Sequence, residues 1–437
     1  MELIFILLQA LLILTIFSIV YPVLSNYKNN VNSTNFINQL IFNSVLHLNF
    51  ILFLTFLNIS LDFITLIYFI SLLTIFIFAF FKNIRWFYSN RYYYFWIFII
   101  LFILSTDIAY SLALDWDSQI VWFFKTLNFY NEGTIKDLSN LPRGDGYSYP
   151  YLGSLTWAFF WNISFINEEY SGRIIYIFLY IVSLFALCEK LKANLISKLI
   201  FLLFLILLSY NYIFFGGSQD ILIFCFISFA AFYLHDIFIK KIKKLEKSNL
   251  IILPLIFNCL IWTKNEGVIY SFIILFLISF FSQIKLSQKI FLIFSTIFLL
   301  ILKIFIYKYF NLDLSINSLV YENISIQSII SGIFSIKTII FLKNLFLFGF
   351  LKNYFFIIGV VFGVIYLYLK GIDKKIAYIC IFYILSLGFL LVAHTSINES
   401  LDLAYMLKVN MHRLVFAISP FFILIVVENL NNLKNKI

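Results

Sequence analysis

Residues 92–114, YYYFWIFIILFILSTDIAYSLAL, run without a break into residues 115–125, DWDSQIVWFFK. The first stretch is apolar over the roughly 20 residues needed to cross a hydrocarbon core, so it reads as a membrane-spanning helix. The second is acidic and aromatic and sits at the mouth of that helix. The same alternation recurs in both directions, with apolar runs near 2–24, 40–58, 61–81, 170–188, 197–215, 219–239, 250–262, 268–284, 290–309, 354–369, 376–394 and 412–428. The run at 250–262 is short and fits a half-helix. Segments 151–166 and 337–351 are apolar enough to enter the bilayer and are expected to be interfacial or re-entrant. The predicted fold is an all-α polytopic membrane protein with about 11–14 transmembrane helices and extracytoplasmic interfacial helices.

Composition agrees. Of 437 residues, 63% are hydrophobic and 12% charged, against about 25% charged in a typical soluble domain. That length would suit two or three soluble domains, but this composition cannot build a water-facing surface. It excludes soluble enzymes, nucleic-acid binders and secreted disulfide scaffolds. The net charge of +10 does not signal nucleic acid, because the lysines sit in short loops between apolar runs, where topology accounts for them. Cys188, Cys225, Cys259 and Cys380 lie in or beside apolar segments without metal-ligand spacing and read as small buried hydrophobes. Lysines number 26 and arginines 5, and Ile, Asn, Phe and Tyr are plentiful, a pattern that fits an AT-rich bacterial genome. Each arginine is correspondingly informative. Glu2 in place of a basic start, with no small-residue cleavage site, predicts no cleavable signal peptide.

Loop charge sets the expected orientation. Lys82–Arg91, Lys190–Lys198, Lys240–Lys247, Lys285–Lys289, Lys370–Lys375 and Lys434–Lys436 are basic and belong in the cytoplasm. The long segments 115–169, 310–353 and 395–411, with the turns at 216–220 and 263–267, then collect on the outer face. Residues 1–91 read as N-terminal transmembrane helices. Residues 92–437 read as the working core, with 115–169 as its first long outer loop.

Asp115 and Asp117 flank Trp116 at a helix mouth, placed to act as a general base or to hold a cation. The competing reading is that one of them caps a surface helix over 118–130. Asp107, two turns deeper in the same span, is a further acid, functional or structural. The run Gly144-Asp145-Gly146-Tyr147-Ser148-Tyr149-Pro150-Tyr151 makes a tight return to the membrane. Its tyrosines fit an interfacial belt or a sugar platform, and Arg143 and Arg173 flank it as candidates for an anionic head group. Gly216-Gly217-Ser218-Gln219-Asp220 brings another carboxylate, or a helix cap, to the same side. Thr263-Lys264-Asn265-Glu266-Gly267 interrupts an apolar hairpin and cannot face lipid. Lys264 there can neutralise a phosphate or pair with Glu266. Asp402, then His412 and Arg413, then Pro420, close the series, and the arginine fork suits a phosphate. Neither a phosphate-cradling glycine loop nor a Ser-His-Asp arrangement is present.

Taken in order, these elements resemble the GT-C superfamily of integral-membrane glycosyltransferases, in particular bacterial lipopolysaccharide and protein O-mannosyltransferase-like members. Asp115-Trp116-Asp117 with Trp122 and Lys125 is similar to the acidic motif of that family's first outer loop. Tyr149-Pro150-Tyr151-Leu152, Asp220, Thr263-Lys264-Asn265-Glu266-Gly267, and Asp402-Leu403 with Arg413 and Pro420 are similar to its later motifs. Three spans before residue 92 are a departure, and so is the lack of a soluble C-terminal domain of the oligosaccharyltransferase kind. The resemblance implies inverting transfer of a sugar from a polyprenyl-phosphate carrier to a lipid, glycan or protein acceptor, outside a bacterial inner membrane. It implies Asp117 or Asp115 as base, with Arg413, Lys264 and His412 on the donor phosphate. Asp220, Glu266, Tyr149, Trp122 and Lys125 would contact substrate. A divalent metal (Mg or Mn) on Asp220 or Asp117 is left open, and no other cofactor is expected. An O-antigen polymerase or ligase is one alternative, though it would lean on outer-loop arginines. A flippase or transporter of lipid-linked sugars is the other, though it would predict mid-bilayer charges and an internal repeat.

Overall fold

In the computed structural model, residues 2–19, 33–141, 149–239, 243–312, 326–371, 374–395 and 403–434 are described. Among them every regular element is a helix. Helices α1 (Glu2–Ser18), α2 (Ser33–Thr55), α3 (Leu61–Phe78), α4 (Phe80–Ser89) and α5 (Arg91–Ser111) lead to the acidic loop. A π-turn at Ser118–Trp122 then opens α6 (Phe123–Tyr130). After the return come α7 (Leu152–Asn162), α8 (Tyr170–Cys188), α9 (Leu195–Ser209), α10 (Asp220–Ile239), α11 (Lys247–Thr263), α12 (Asn265–Phe281) and α13 (Leu286–Tyr309). The last third holds α14 (Ile326–Ile333), α15 (Ile336–Asn344), α16 (Tyr354–Lys370), α17 (Lys374–Thr395), α18 (Leu403–Ala417) and α19 (Pro420–Lys434). Among the described residues 7 helices can cross a membrane by length and hydropathy, or 9 if two bent pairs count as one span each, and four shorter apolar helices accompany them.

Burial separates the core from the lipid-facing shell. Helix α8 is predominantly apolar and buried along its whole length, and α10 nearly so, as a central helix must be. Helices α3 and α13 instead expose rows such as Phe63, Leu66, Ile70 and Ile77, or Phe294, Ile301 and Phe305. In water such rows would be a liability; against lipid tails they are the expected surface. Because lipid is as apolar as the core, buried polar groups stitch the helices together. Asn43 donates to the Phe17 carbonyl (2.6 Å) and Asn258 to Asn49 (2.6 Å), while Gln9 reaches the Phe160 carbonyl (3.0 Å).

The structure adds detail at three segments. At 151–166, α7 is buried over Leu152–Trp161 and packs on α8, α6 and α2. The run at 337–351, expected to be interfacial or re-entrant, continues from α15 through a π-turn (Leu345–Phe350), and that unit meets α16 at 92°, the geometry of a broken span or a re-entrant loop. The span read at 412–428 is two helices, α18 and α19, bent by 47°. Pro420 has no N–H and restricts Ser419 before it, so the chain breaks there and Arg413 falls in the last turns of α18.

A close approach positions the α11–α12 break. A Cβ on Gly267 would lie 2.0 Å from the Leu260 carbonyl oxygen, which is helix backbone and cannot swing aside. Gly267→Ala is expected to destabilise the chain by about 1–3 kcal/mol, measured as a lower midpoint of thermal unfolding in detergent. An unchanged midpoint would mean that α12 shifts off α11 without penalty.

Candidate functional site

Four chain segments far apart in sequence meet where α5 ends and α10 begins. Helix α5 stops at Leu112, which adopts a left-handed conformation (φ 45°) and donates back to the Ile108 carbonyl, turning the chain sharply. The following loop is pinned to the turn before α10, because the Asp115 N–H donates to the Gly216 carbonyl (2.9 Å). That turn needs glycine: Gly217 has φ +88°, and a Cβ there would meet Trp157 at 2.6 Å. From behind, the buried Arg173 at the start of α8 donates to the Ala113 and Phe215 carbonyls (3.0 Å each) and pairs with Glu169 (2.7 Å). Arg173 is therefore a structural tie and not a free cation for a head group.

In front of this knot stands Arg413. Its guanidinium donates to the Asp115 carboxylate and to that of Asp117 (2.6 Å), with Asn410 as a further acceptor (2.6 Å). Its Nε lies 3.8 Å from Asp220. Asp220 also takes the Lys264 ammonium at 2.8 Å and a hydroxyl from Ser218 at 3.1 Å. Lys264 occupies the single extended residue between α11 and α12 and lies 3.9 Å from Glu266. Six of the residues singled out in sequence thus form one ionic cluster, four carboxylates against two cations. Burial pushes the Asp115 carboxyl up; the Arg413 guanidinium pulls it down by less, and the Asp117 charge adds to the rise. Asp117 is the more open of the pair, its side chain 29% exposed against 15%. The π-turn that follows matches the tendency of such irregularities to occur at functional sites.

Beside the cluster lies a group of packed aromatic rings. The Trp122 and Tyr149 rings meet edge to face at 5.4 Å. The Lys125 ammonium donates to the Tyr149 carbonyl and lies 5.5 Å from the Trp122 ring centre. Tyr151 packs on Trp262 (5.2 Å), and Trp262 on Tyr307 (5.7 Å). Lys303, six residues before the end of α13, donates to the Ile261 carbonyl (2.9 Å) over the Trp262 and Tyr307 rings.

His412 is set apart from its neighbour, its ring stacked on Phe214 (5.2 Å). Asp107 takes a hydrogen bond from Tyr210 (2.6 Å) and stands outside the cluster. Arg143, Gly144, Asp145, Gly146, Tyr147, Ser148 and Asp402 lie outside the described residues. Among the described residues no group of three His, Cys, Asp or Glu side chains has the spacing of a metal site, and Asp115, Asp117 and Asp220 are grouped around the Arg413 guanidinium. Sequence reading missed Lys303. A lysine set between Leu302 and Ile304 inside an apolar run was the signal, since such a cation must find an internal partner.

No protein-family model matches the chain, and neither a curated protein nor a solved structure does.

Proposed function

We propose that the chain is a GT-C-like membrane glycosyltransferase. In this reading it moves a sugar from a polyprenyl-phosphate carrier to a hydroxyl of a glycolipid, polysaccharide or protein, outside a bacterial inner membrane. The observation that carries it is the convergence of Asp115, Asp117, Asp220, Glu266, Lys264 and Arg413 from separate segments beside a group of aromatic rings. A membrane protein does not desolvate six charges at one place without cause.

The chemistry follows from that inventory. Asp117, the more open acid, accepts the proton of the acceptor hydroxyl as the oxygen attacks the anomeric carbon. The new C–O bond forms on the face opposite the departing phosphate, so configuration inverts. The bond from the anomeric carbon to the phosphate oxygen breaks with its electron pair leaving on the lipid phosphate. The sugar carries positive character in between, as in other glycosyl transfers, and acidic side chains beside it lower that barrier. Arg413 fixes the spacing of Asp115 and Asp117 and, with Lys264, supplies positive potential on the leaving-group side. Trp122 and Tyr149 offer flat apolar faces for a sugar ring.

The test is transfer of radiolabelled sugar from polyprenyl-phosphate donors in proteoliposomes containing the wild-type chain and an acceptor extract. Sugar appearing in the acceptor fraction, with donor consumed, supports the reading. Donor that crosses the bilayer intact, with nothing transferred, would replace it with a transporter of lipid-linked sugars.

A further inference from the structure

The ionic cluster accounts for Arg413 and Lys264 but leaves two buried cations unexplained. Lys125 and Lys303 are 3% and 6% exposed, and among the described residues neither forms an ion pair. Each ammonium has three donors, and each spends one on a backbone carbonyl, of Tyr149 and of Ile261. A buried lysine held by a lone carbonyl is costly unless something else takes its charge. The two sites adjoin through the chain: Lys125 is bonded to the Tyr149 carbonyl, and two residues on, Tyr151 packs on Trp262, over which Lys303 lies, with Glu266 the acid whose charge acts on Lys303 without pairing to it. Burial first, and Lys303 second, push the Lys125 ammonium down to about 7. Between their aromatic neighbours, Trp262 is fully buried and its indole N–H has no acceptor. This aromatic group is therefore rich in unused donors and positive charge. The cluster beside it is the reverse, with four carboxylates to two cations and a buried Glu266 oxygen that no donor reaches.

From this division we infer that Lys125, Lys303 and the Trp262 N–H form an anion subsite that takes the phosphate of a phosphorylated ligand, leaving Arg413 and Lys264 to organise the carboxylates. The inference rests on the transferase reading for the ligand's role, since the phosphate would be the one that leaves the sugar. It assigns the direct phosphate contacts to a buried lysine on α13 and a buried lysine on α6. An arriving dianion supplies the acceptors these groups lack and draws a proton back onto Lys125. Tyr151, Trp262 and Tyr307, all buried, line the subsite with aromatic rings.

Binding tests this without any transfer step. The full chain, reconstituted in phosphatidylcholine vesicles, is titrated with farnesyl phosphate, farnesol and inorganic phosphate, and intrinsic tryptophan fluorescence reports occupancy. Farnesyl phosphate is expected to bind and farnesol to bind at least ten-fold more weakly. Lys303→Met and Lys125→Met are each expected to weaken farnesyl phosphate by ten-fold or more. Both replacements keep side-chain length without a charge, so the helices should still fold, and unfolding midpoints check that they do. Inorganic phosphate binding alone, and displacing the lipid, identifies the phosphate as sufficient. Farnesyl phosphate binding with no competition from inorganic phosphate identifies a lipid-borne group. The subsite is overturned if farnesol binds as well as farnesyl phosphate, if wild type binds neither phosphate, or if both methionine variants fold and bind like wild type. Lysine-dependent binding in a chain that never transfers sugar would keep the subsite and remove the transferase reading. Transfer with binding indifferent to both lysines would do the opposite.

Discussion

Arg413→Met is expected to destabilise the chain by about 3–5 kcal/mol, the range seen when one partner of a buried charge group is removed. The guanidinium is largely buried and touches Asp115 and Asp117, with Asp220 3.8 Å away. Methionine fills comparable space but leaves three carboxylates facing each other with Lys264 as the remaining cation. Arg413→Lys should recover only part of the loss, because one ammonium cannot reproduce a planar fork that serves both Asp115 and Asp117. Thermal unfolding in detergent is the measurement, with the double change Arg413→Met, Asp115→Asn as the check on cause. If the carboxylates are the source of the loss, the double variant unfolds at a higher temperature than Arg413→Met alone. A wild-type midpoint for Arg413→Met would mean that the cluster contributes nothing to stability.

Asp117→Asn carries the largest expected effect on activity. Removing a general base typically lowers turnover by about 10²–10⁴-fold, and asparagine keeps the hydrogen-bonding shape while losing the proton acceptor. Donor affinity should change little, since in this reading Asp117 contacts the acceptor hydroxyl and not the phosphate. Arg413 keeps Asp115 as a partner, so the fold should survive the change. Turnover of radiolabelled sugar by this variant within a few-fold of wild type would move the base to Asp115. That alternative is already weighted by the upward push of burial on the Asp115 carboxyl, which leaves it protonated over a wider pH range than an open carboxylate.

Much of the site was legible because its members are polar residues at the ends of apolar runs, where composition changes abruptly. Asp115, Asp117, Asp220, Lys264, Glu266 and Arg413 all stand at such boundaries, and all meet in the fold. Position along the chain did not tell partners, however. His412 and Arg413 are neighbours on α18, yet successive helical side chains point about 100° apart, so one stacks on Phe214 and the other reaches the aspartates. Arg173 resembled a head-group ligand because its true partners, two backbone carbonyls and Glu169, carry no sequence signature. Lys303 was hidden by its surroundings, since one cation does not disturb the hydropathy of an otherwise apolar run. The helices themselves followed from hydropathy, but the burial of α7 did not, because a run of eleven residues is too short to declare which apolar phase it enters.

The two arginines on either side of the 113–115 and 215–216 backbone also constrain how this protein can vary. Loops on membrane proteins ordinarily accept inserted or deleted residues with little penalty. Here Arg173 grips the carbonyls of Ala113 and Phe215 from one side, Arg413 grips Asp115 and Asp117 from the other, and the Asp115 N–H is fastened to Gly216 between them. Lengthening either loop by one residue would present a different carbonyl to Arg173 and turn the adjacent carboxylate away from Arg413. These two loops therefore behave as fixed-length gauges, and insertional tagging or domain grafting belongs elsewhere on the chain.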